Sequence, residues 1–253
     1  MRYKPARLKS NAEWRRWGKE DPLWAVVTEP GRKRGEPSAW TNVEFYAAGE
    51  SDWRDFFPHW HRYGVNTESC LEIGCGAGRI TRLLSLSFDK VYAVDVSEDM
   101  IVCARSATQS DNVEFCLTDG LDLPQADCSV KAVFSTHVLQ HLDTAQIALD
   151  YFREFFRVLD FGGSIMIHVP IYEWPGTGRI AKLLRTIHVI MSKISDGLAW
   201  AKRRAHLRMM RGTACHAQFL YHSLAGLGFK DIEFRTFAIS RNGALHSFVM
   251  ARK

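Results

Sequence analysis

Gly74, Gly76 and Gly78 stand at alternate positions straight after the apolar run Leu71-Glu72-Ile73, and a helical pattern starts behind them at Arg79. Glycine has no Cβ, so the backbone can turn sharply there and let a ligand come close. A strand that runs through such a turn into a helix is how doubly wound α/β proteins seat an adenosine-containing cofactor. The turn alone does not say which cofactor, because dinucleotide enzymes use a similar one. The spacing here is GxGxG rather than GxGxxG. Three acids accompany it. Glu72 lies within the first strand, and Asp95 ends the second, where a ribose diol needs a two-oxygen acceptor. Asp119 follows the third, where an adenine amino group can be met. Histidines bring a second kind of chemistry. His137 and His141 come just after the fourth strand and His168 ends the fifth. Near neutral pH an imidazole is the side chain best tuned to take a proton from a hydroxyl.

These residues need strands that end along one edge, and the chain supplies them. From Ser69 onward strands and helices alternate. Strands are expected at Cys70–Ile73, Lys90–Val94, Val113–Leu117, Lys131–Ser135 and Ser164–Val169. Helices are expected at Arg79–Ser85, from the Ser97 cap to about Thr108, and from Asp143-Thr144 to about Leu159. Such alternation implies a parallel sheet covered on both faces. Right-handed crossovers then put all the strand ends on one edge. After the fifth strand the rhythm breaks. A helix at Ala217–Leu227 and strands at Ile232–Ile239 and His246–Ala251 follow later; the short link between those two strands makes them antiparallel. The expected fold is α/β: a doubly wound, mostly parallel seven-stranded sheet with a terminal antiparallel hairpin, plus a helical lid. Residues 41–170 form the core of this scheme, and 217–253 complete it.

Two appendages remain. Residues 1–40 read as an N-terminal arm in which Trp14, Trp17, Trp24 and Trp40 pack on the core, with Asn11 capping a short helix through Trp17. Glu29–Pro37 is a loop by its Gly, Pro and charge content. Thr41-x-x-Glu44 is a capping box that opens a helix, and Ser51-Asp52 reads as the start of a second one. Residues 171–216 are a helical insertion. Ile180, Leu183, Leu184, Ile187, Ile190, Met191 and Ile194 fall at helical spacing with Lys182, Arg185 and Lys193 off the stripe, and a basic stretch runs from Lys202 to Arg211. This insertion could form a lid over the domain, pack against a second copy as a homodimer, or lie on a membrane surface.

Composition bounds the rest. The chain is 46% hydrophobic and 24% charged over 253 residues, ordinary for a globular protein. No apolar run approaches the roughly 18 residues that span a bilayer. The basic start MRYKPARLKS lacks the apolar region of a secretory signal. Cys70, Cys75, Cys103, Cys116, Cys128 and Cys215 form no CxxC pair, and reduced thiols in a cytoplasmic protein are expected. There is no HExxH and no facing Cys/His pair, so no metal site is expected. Lys and Arg outnumber Asp and Glu by 10 to 5 in residues 1–40 and by 9 to 2 in 171–216, while 41–170 holds 9 against 19. Basic flanks around an acidic centre could attract an anionic substrate, nucleic acid or a membrane, or be solvated helix faces. No nucleic-acid-binding motif accompanies them.

Taken together, the segments resemble those of class I S-adenosylmethionine-dependent methyltransferases. LEIGCGAGR is similar to the family's first motif, VYAVDVSEDM to its ribose-binding segment and VEFCLTDGLDLP to its adenine-binding segment. KAVFSTHVLQHL and RVLDFGGSIMIHVP are similar to the fourth-strand and fifth-strand segments. The resemblance covers residues 65–170 closely and 217–253 more loosely. It implies S-adenosyl-L-methionine as cofactor. Glu72, Gly74, Cys75 and Gly76 would then belong to the methionine end, Gly78 to the cofactor-binding turn, Asp95 to the ribose hydroxyls, Val96 and Met100 to the adenosine, and Asp119 and Gly120 to the adenine. Thr136 and His137 would lie near the sulfonium or the methionine moiety. Met100 could equally be helix packing. His137 is either a general base or a cofactor contact, and His141 a base or a packing residue. Tyr46 could close over the cofactor or pair with Phe45. Ser135-Thr136-His137-Val138 stands where amine methylases carry Asn/Asp-Pro-Pro-Tyr/Phe, which points away from adenine or glutamine methylation. The expected function is methyl transfer to a small-molecule acceptor at oxygen. RNA or protein methylation through the basic segments is the alternative, and a binding module without catalysis is a third.

Overall fold

The computed structural model describes residues 8–172 and 215–253. The helix expected at Ile180–Ile194 and the basic stretch Lys202–Arg211 lie outside the described residues, as does the start of the arm. One seven-stranded sheet dominates. Its strands are β1 (Ser69–Ile73), β2 (Lys90–Asp95), β3 (Val113–Leu117), β4 (Val130–Ser135), β5 (Leu159–His168), β8 (Lys230–Ala238) and β9 (Leu245–Arg252). They lie in the order β3-β2-β1-β4-β5-β9-β8. The β1–β5 pairings are parallel, and β9 pairs antiparallel with both β5 and β8. The order reverses beside β1, so a crevice opens at the carboxyl ends of β1, β2 and β4.

Both faces of the central strands are buried, which is why β1, β2 and β4 are mostly apolar, while the edge strands β3 and β8 stay half-exposed and β8 carries alternating charges. On one face Leu71, Ile73, Val133, Ile165, Ile167, Val249 and Ala251 pack against Tyr151, Phe152 and Phe155 of α6 (Ala145–Val158) and Leu220 and Leu224 of α7 (Ala217–Leu227). On the other, Cys70, Ala132, Phe134, Met166, Phe248 and Met250 pack against Trp53, Phe56 and Trp60 of α3 (Asn42–Tyr63). The alternation follows from the two-residue period of a strand. Trp60 Nε1 donates to Ser164 Oγ at 3.0 Å, fixing α3 on β5.

Three elements differ from the expectation. The capping box of Thr41 and Glu44 is present, but no second helix starts at Ser51-Asp52; α3 runs unbroken from Asn42 to Tyr63. Asp52 does not cap because its carboxylate is buried against Arg79 and Arg241. Asn11 caps nothing either: α1 (Lys9–Glu20) begins at Leu8, and Asn11 uses its amide to bond the Asp119 carbonyl at 2.6 Å. Finally, β5 begins at Leu159 rather than Ser164, directly after α6. The Gly162-Gly163 pair therefore sits inside the strand, and the β4–β5 register shifts beside it.

The remaining helices are α2 (Pro22–Val26), α4 (Thr81–Ser87) and α5 (Glu98–Ala107). A small parallel pair, β6 (Ile171–Tyr172) and β7 (Cys215–His216), brings both ends of the 171–216 segment together beyond β5. Among the described residues no helix is long and apolar enough to cross a membrane.

Candidate active site

The crevice widens into a cavity of about 700 Å³ at the carboxyl edge, with the arm as its outer wall. At the sheet side, Gly74 N and Cys75 N both donate to the Val94 carbonyl, at 2.8 and 3.0 Å, which folds the turn onto β2. Gly76 N then reaches Asp95 Oδ2 at 2.9 Å, and Ser97 N reaches Asp95 Oδ1 at 2.9 Å. Each carboxylate oxygen thus spends one lone pair on a backbone N–H. A carboxylate has about four acceptor sites, so two remain for a ligand. Asp95 is only 8% exposed and its carboxyl is raised above the usual range by burial, against the pull of those N–H bonds. A buried acid with two unspent acceptor positions at a cavity wall suits a vicinal diol, so the residues present fit the ribose of an adenosyl cofactor.

The turn is crowded on both sides. Gly76 has φ +53, and a Cβ there would lie 2.8 Å from Val26 Cγ2 of α2. Gly78 has φ +81, and a Cβ there would lie 2.9 Å from Ala104 Cα of α5. One glycine lets the arm close over the turn, and the other lets α5 pack beneath it.

Of the residues expected at the cofactor, Gly74, Gly76, Asp95, Val96, Met100, Gly120, Thr136 and His137 line the cavity. Met100 does both things considered for it: it walls the cavity and also packs with Trp17, Ala25 and Phe45. Four expected residues stand behind the wall. Cys75 packs against Ala93, Ile101 and Ala104. Gly78 faces α5. Glu72 turns to the opposite side of β1 and accepts from Thr81 Oγ1 at 2.7 Å; burial pushes its carboxyl up to about 7. Asp119 is exposed, and its backbone carbonyl rather than its carboxylate meets Asn11. Thr118, Gly120, Tyr151 and Asn11 make that part of the wall. Tyr46 does not reach the cavity: its hydroxyl donates to the Ala77 carbonyl at 2.9 Å and its ring packs on Phe45.

The far end of the cavity is polar. His137, at φ +59, and His141 both line it. His141 shares a hydrogen bond with Gln140 and meets Trp14 edge-on, ring centroids 5.3 Å apart. His137 is held well below the ordinary imidazole value, first by burial and then by the charges of His168, Arg79, His246 and His141. His168 is pushed down to about 3 by burial, and His246 is lowered mainly by burial. Burial thus favours the neutral form of His137, His168 and His246.

Sequence reasoning missed several lining residues. Arg79 and Arg241 converge on the buried Asp52, and Arg241 also pairs with Glu29 of the arm. Asp52 gave one signal, a charge on the apolar stripe of α3 beside Trp53 and Phe56. Arg241 and His246 gave none, because their partners lie far away in the chain. Asn11, Trp14 and Trp24 of the arm also line the cavity.

The sequence model of a family described as a methyltransferase domain matches residues 71–167. The O-methyltransferase rstn1 of Aspergillus nomiae is 29% identical over 108 residues, covering 41% of this chain and 47% of that protein. A demethylmenaquinone methyltransferase of Tropheryma whipplei is 30% identical over 116 residues, covering 43% of this chain and 47% of that protein. The chain therefore spans about half the length of these curated relatives. Among solved structures, the magnesium protoporphyrin IX methyltransferase of Synechocystis PCC 6803 with bound SAH superposes with a TM-score of 0.62 at 18% identity, covering 97% of this chain and 100% of that one. At that identity the likeness speaks for the fold. The matched stretch carries the glycine turn, Asp95 and nearly all of strands β1 to β5, and over it the chain is similar to the class I S-adenosylmethionine-dependent methyltransferases.

Proposed function

We propose that this chain transfers the methyl group of S-adenosylmethionine to an oxygen of a small-molecule acceptor. The observation that carries the reading is one continuous cavity with two different ends. Its Asp95–Gly76 end suits an adenosyl group, and its other end presents His137, His141, Arg79 and Arg241 beside the aromatic arm. When bound, S-adenosylmethionine supplies a methyl group already activated on a sulfonium. Asp95 would hold the ribose hydroxyls, and Gly74 and Gly76 would let the methionine end approach the backbone. Thr136 Oγ1 is buried without a hydrogen-bond partner and is free to bond the cofactor or the acceptor. Much of the rate in such a transfer comes from alignment of the two reactants, and the arm supplies one wall that holds them. His137 and His141 are the groups to accept a hydrogen bond or a proton from an acceptor hydroxyl.

A cavity roofed by α1 and α2 suits a compact acceptor better than a polynucleotide. Two O-methyltransferase names occur among the relatives, the rstn1 enzyme and a malonyl-[acyl-carrier protein] O-methyltransferase of Bacillus cereus. All six cysteines are free, which accords with a cytoplasmic protein. The test is incubation with methyl-labelled cofactor and, separately, metabolite extract, bulk RNA and bulk protein. Label in an O-methylated metabolite is expected. Label confined to RNA or protein would overturn the acceptor class, and no cofactor binding by calorimetry would overturn the whole reading.

A further inference from the structure

His137 follows β4, His168 ends β5 and His246 lies in β9, and these three strands are neighbours in the sheet. The sheet order therefore carries three histidines, distant in sequence, to one spot on its edge. One ring nitrogen from each lies within 4.8 Å of the others. The ring centroids are 4.6, 4.9 and 5.0 Å apart. His168 is 5% exposed and His246 is 6% exposed, and Nδ1 of each is buried with no hydrogen-bond partner. Buried polar atoms in folded proteins are nearly always partnered, so two orphaned nitrogens in one cluster call for a missing partner. His137 is held in the left-handed backbone region, where non-glycine residues are uncommon and concentrate at functional sites.

Neutral imidazole is the form that offers a lone pair to a metal, and the three rings sit together at one spot of the sheet edge. The charged groups around them do not repel a cation as a set. Arg79 and Arg241 are balanced by Asp52 and Glu29 in one ion-paired network. Three neutral nitrogens suit a borderline first-row ion such as zinc, with bonds of about 2.0–2.1 Å in a tetrahedral arrangement. Small side-chain rotations would draw the ring nitrogens together to that span.

We propose that His137, His168 and His246 hold a divalent transition metal ion, zinc being the best match, at the wall of the methyl-transfer cavity. His137 and His246 both line that cavity, so the position left by the three ligands is accessible from it. An ion there would make a hydroxyl that reaches it more acidic, which is what an oxygen acceptor needs. That consequence rests on the methyl-transfer reading, and with the His137 lone pair on the ion it leaves His141 to take the acceptor's proton; the metal site itself does not rest on that reading.

The full chain is purified without added chelator and its metal content measured by mass spectrometry. It is then stripped and titrated with cobalt(II), whose visible bands report a tetrahedral nitrogen site. One ion per chain and saturable cobalt bands are expected. His246→Gln and the triple variant His137→Ala/His168→Gln/His246→Gln should lose at least tenfold in cobalt affinity, with an unchanged far-ultraviolet circular dichroism spectrum. Wild type and the triple variant binding cobalt equally, or wild type giving no bands, would overturn the site. Should a variant unfold, proton-detected nitrogen spectra of the wild-type histidines with and without zinc decide the matter: unchanged ring nitrogen shifts would overturn it. Intact cobalt bands with no methyl transfer would refute the proposed function and leave the metal site standing.

Discussion

Replacing Glu72 by Gln should change the pH dependence of folding in a defined way. Glu72 is 3% exposed on β1, and its one direct polar partner is the Thr81 hydroxyl. Burial is the largest influence and raises its carboxyl from 4.5 to about 7; the Thr81 bond opposes this, and the nearby Asp95 charge adds to it. A folded-state value above the unfolded one means that the folded chain binds the proton more tightly. The stability due to this group is therefore fully present below pH 4.5 and is lost as the pH rises through about 7. Each tenfold change in proton affinity is worth about 1.4 kcal/mol, so the loss comes to about 3 kcal/mol. Glu72→Gln removes this dependence while keeping an acceptor for Thr81. It adds a buried NH2, at a cost of about 1–3 kcal/mol that does not vary with pH. The assay is urea unfolding of both proteins without cofactor, followed by tryptophan fluorescence, from about pH 4 to about pH 8. The variant's stability relative to wild type should rise by about 3 kcal/mol across that range. Because every other titrating group is common to both proteins, the difference isolates Glu72. A flat difference would refute the burial argument. A falling one would mean that Glu72 is held ionised, with Arg79 as the stronger influence.

Asp95→Asn should weaken S-adenosylmethionine binding about 10- to 100-fold by calorimetry, the loss of a charge-assisted acceptor for a diol; affinity within twofold of wild type would undo the ribose assignment. Gly78→Ala puts a methyl 2.9 Å from Ala104 Cα at φ +81, and should cost about 2–4 kcal/mol in denaturant unfolding. Unchanged stability would mean that α5 yields freely. Asn11→Ala removes the bond that fastens α1 to the Asp119 carbonyl, worth about 1 kcal/mol. Amide exchange across Lys9–Glu20 should quicken while that of β1 does not; equal protection in both proteins would show that the tryptophans alone hold the arm.

Most of the sheet could be read in advance because its signals are local. Val113–Leu117 and Ala217–Leu227 have the limits that their composition and flanking residues predict, and Ser97 and Thr144 cap the helices they precede. Asp95 was legible as the acid that meets the glycine turn, because it ends the second strand directly beside that turn. Glu72 and Asp119 were legible as acids but not as to where their side chains turn. A strand residue has two faces to choose from, and only the packed sheet shows that Glu72 takes the face away from the cavity. Ser51-Asp52 misled for a similar reason. Locally it offers a cap, and only the arrival of Arg79 and Arg241 gives Asp52 a better partner within the helix.

The sequence by itself determined the order of strands and helices, the glycine turn and the acid that faces it, because period-two and period-3.6 patterns and caps depend on near neighbours. It thereby determined the kind of cofactor. The tertiary structure alone decided which residues share the wall of the cavity. The Asn11 bond to Asp119, the pairing of Arg241 with Asp52, and the meeting of His137, His168 and His246 all join residues from separate parts of the chain. Such contacts leave no periodic trace, since each partner is placed by the sheet order and not by its own flanking sequence.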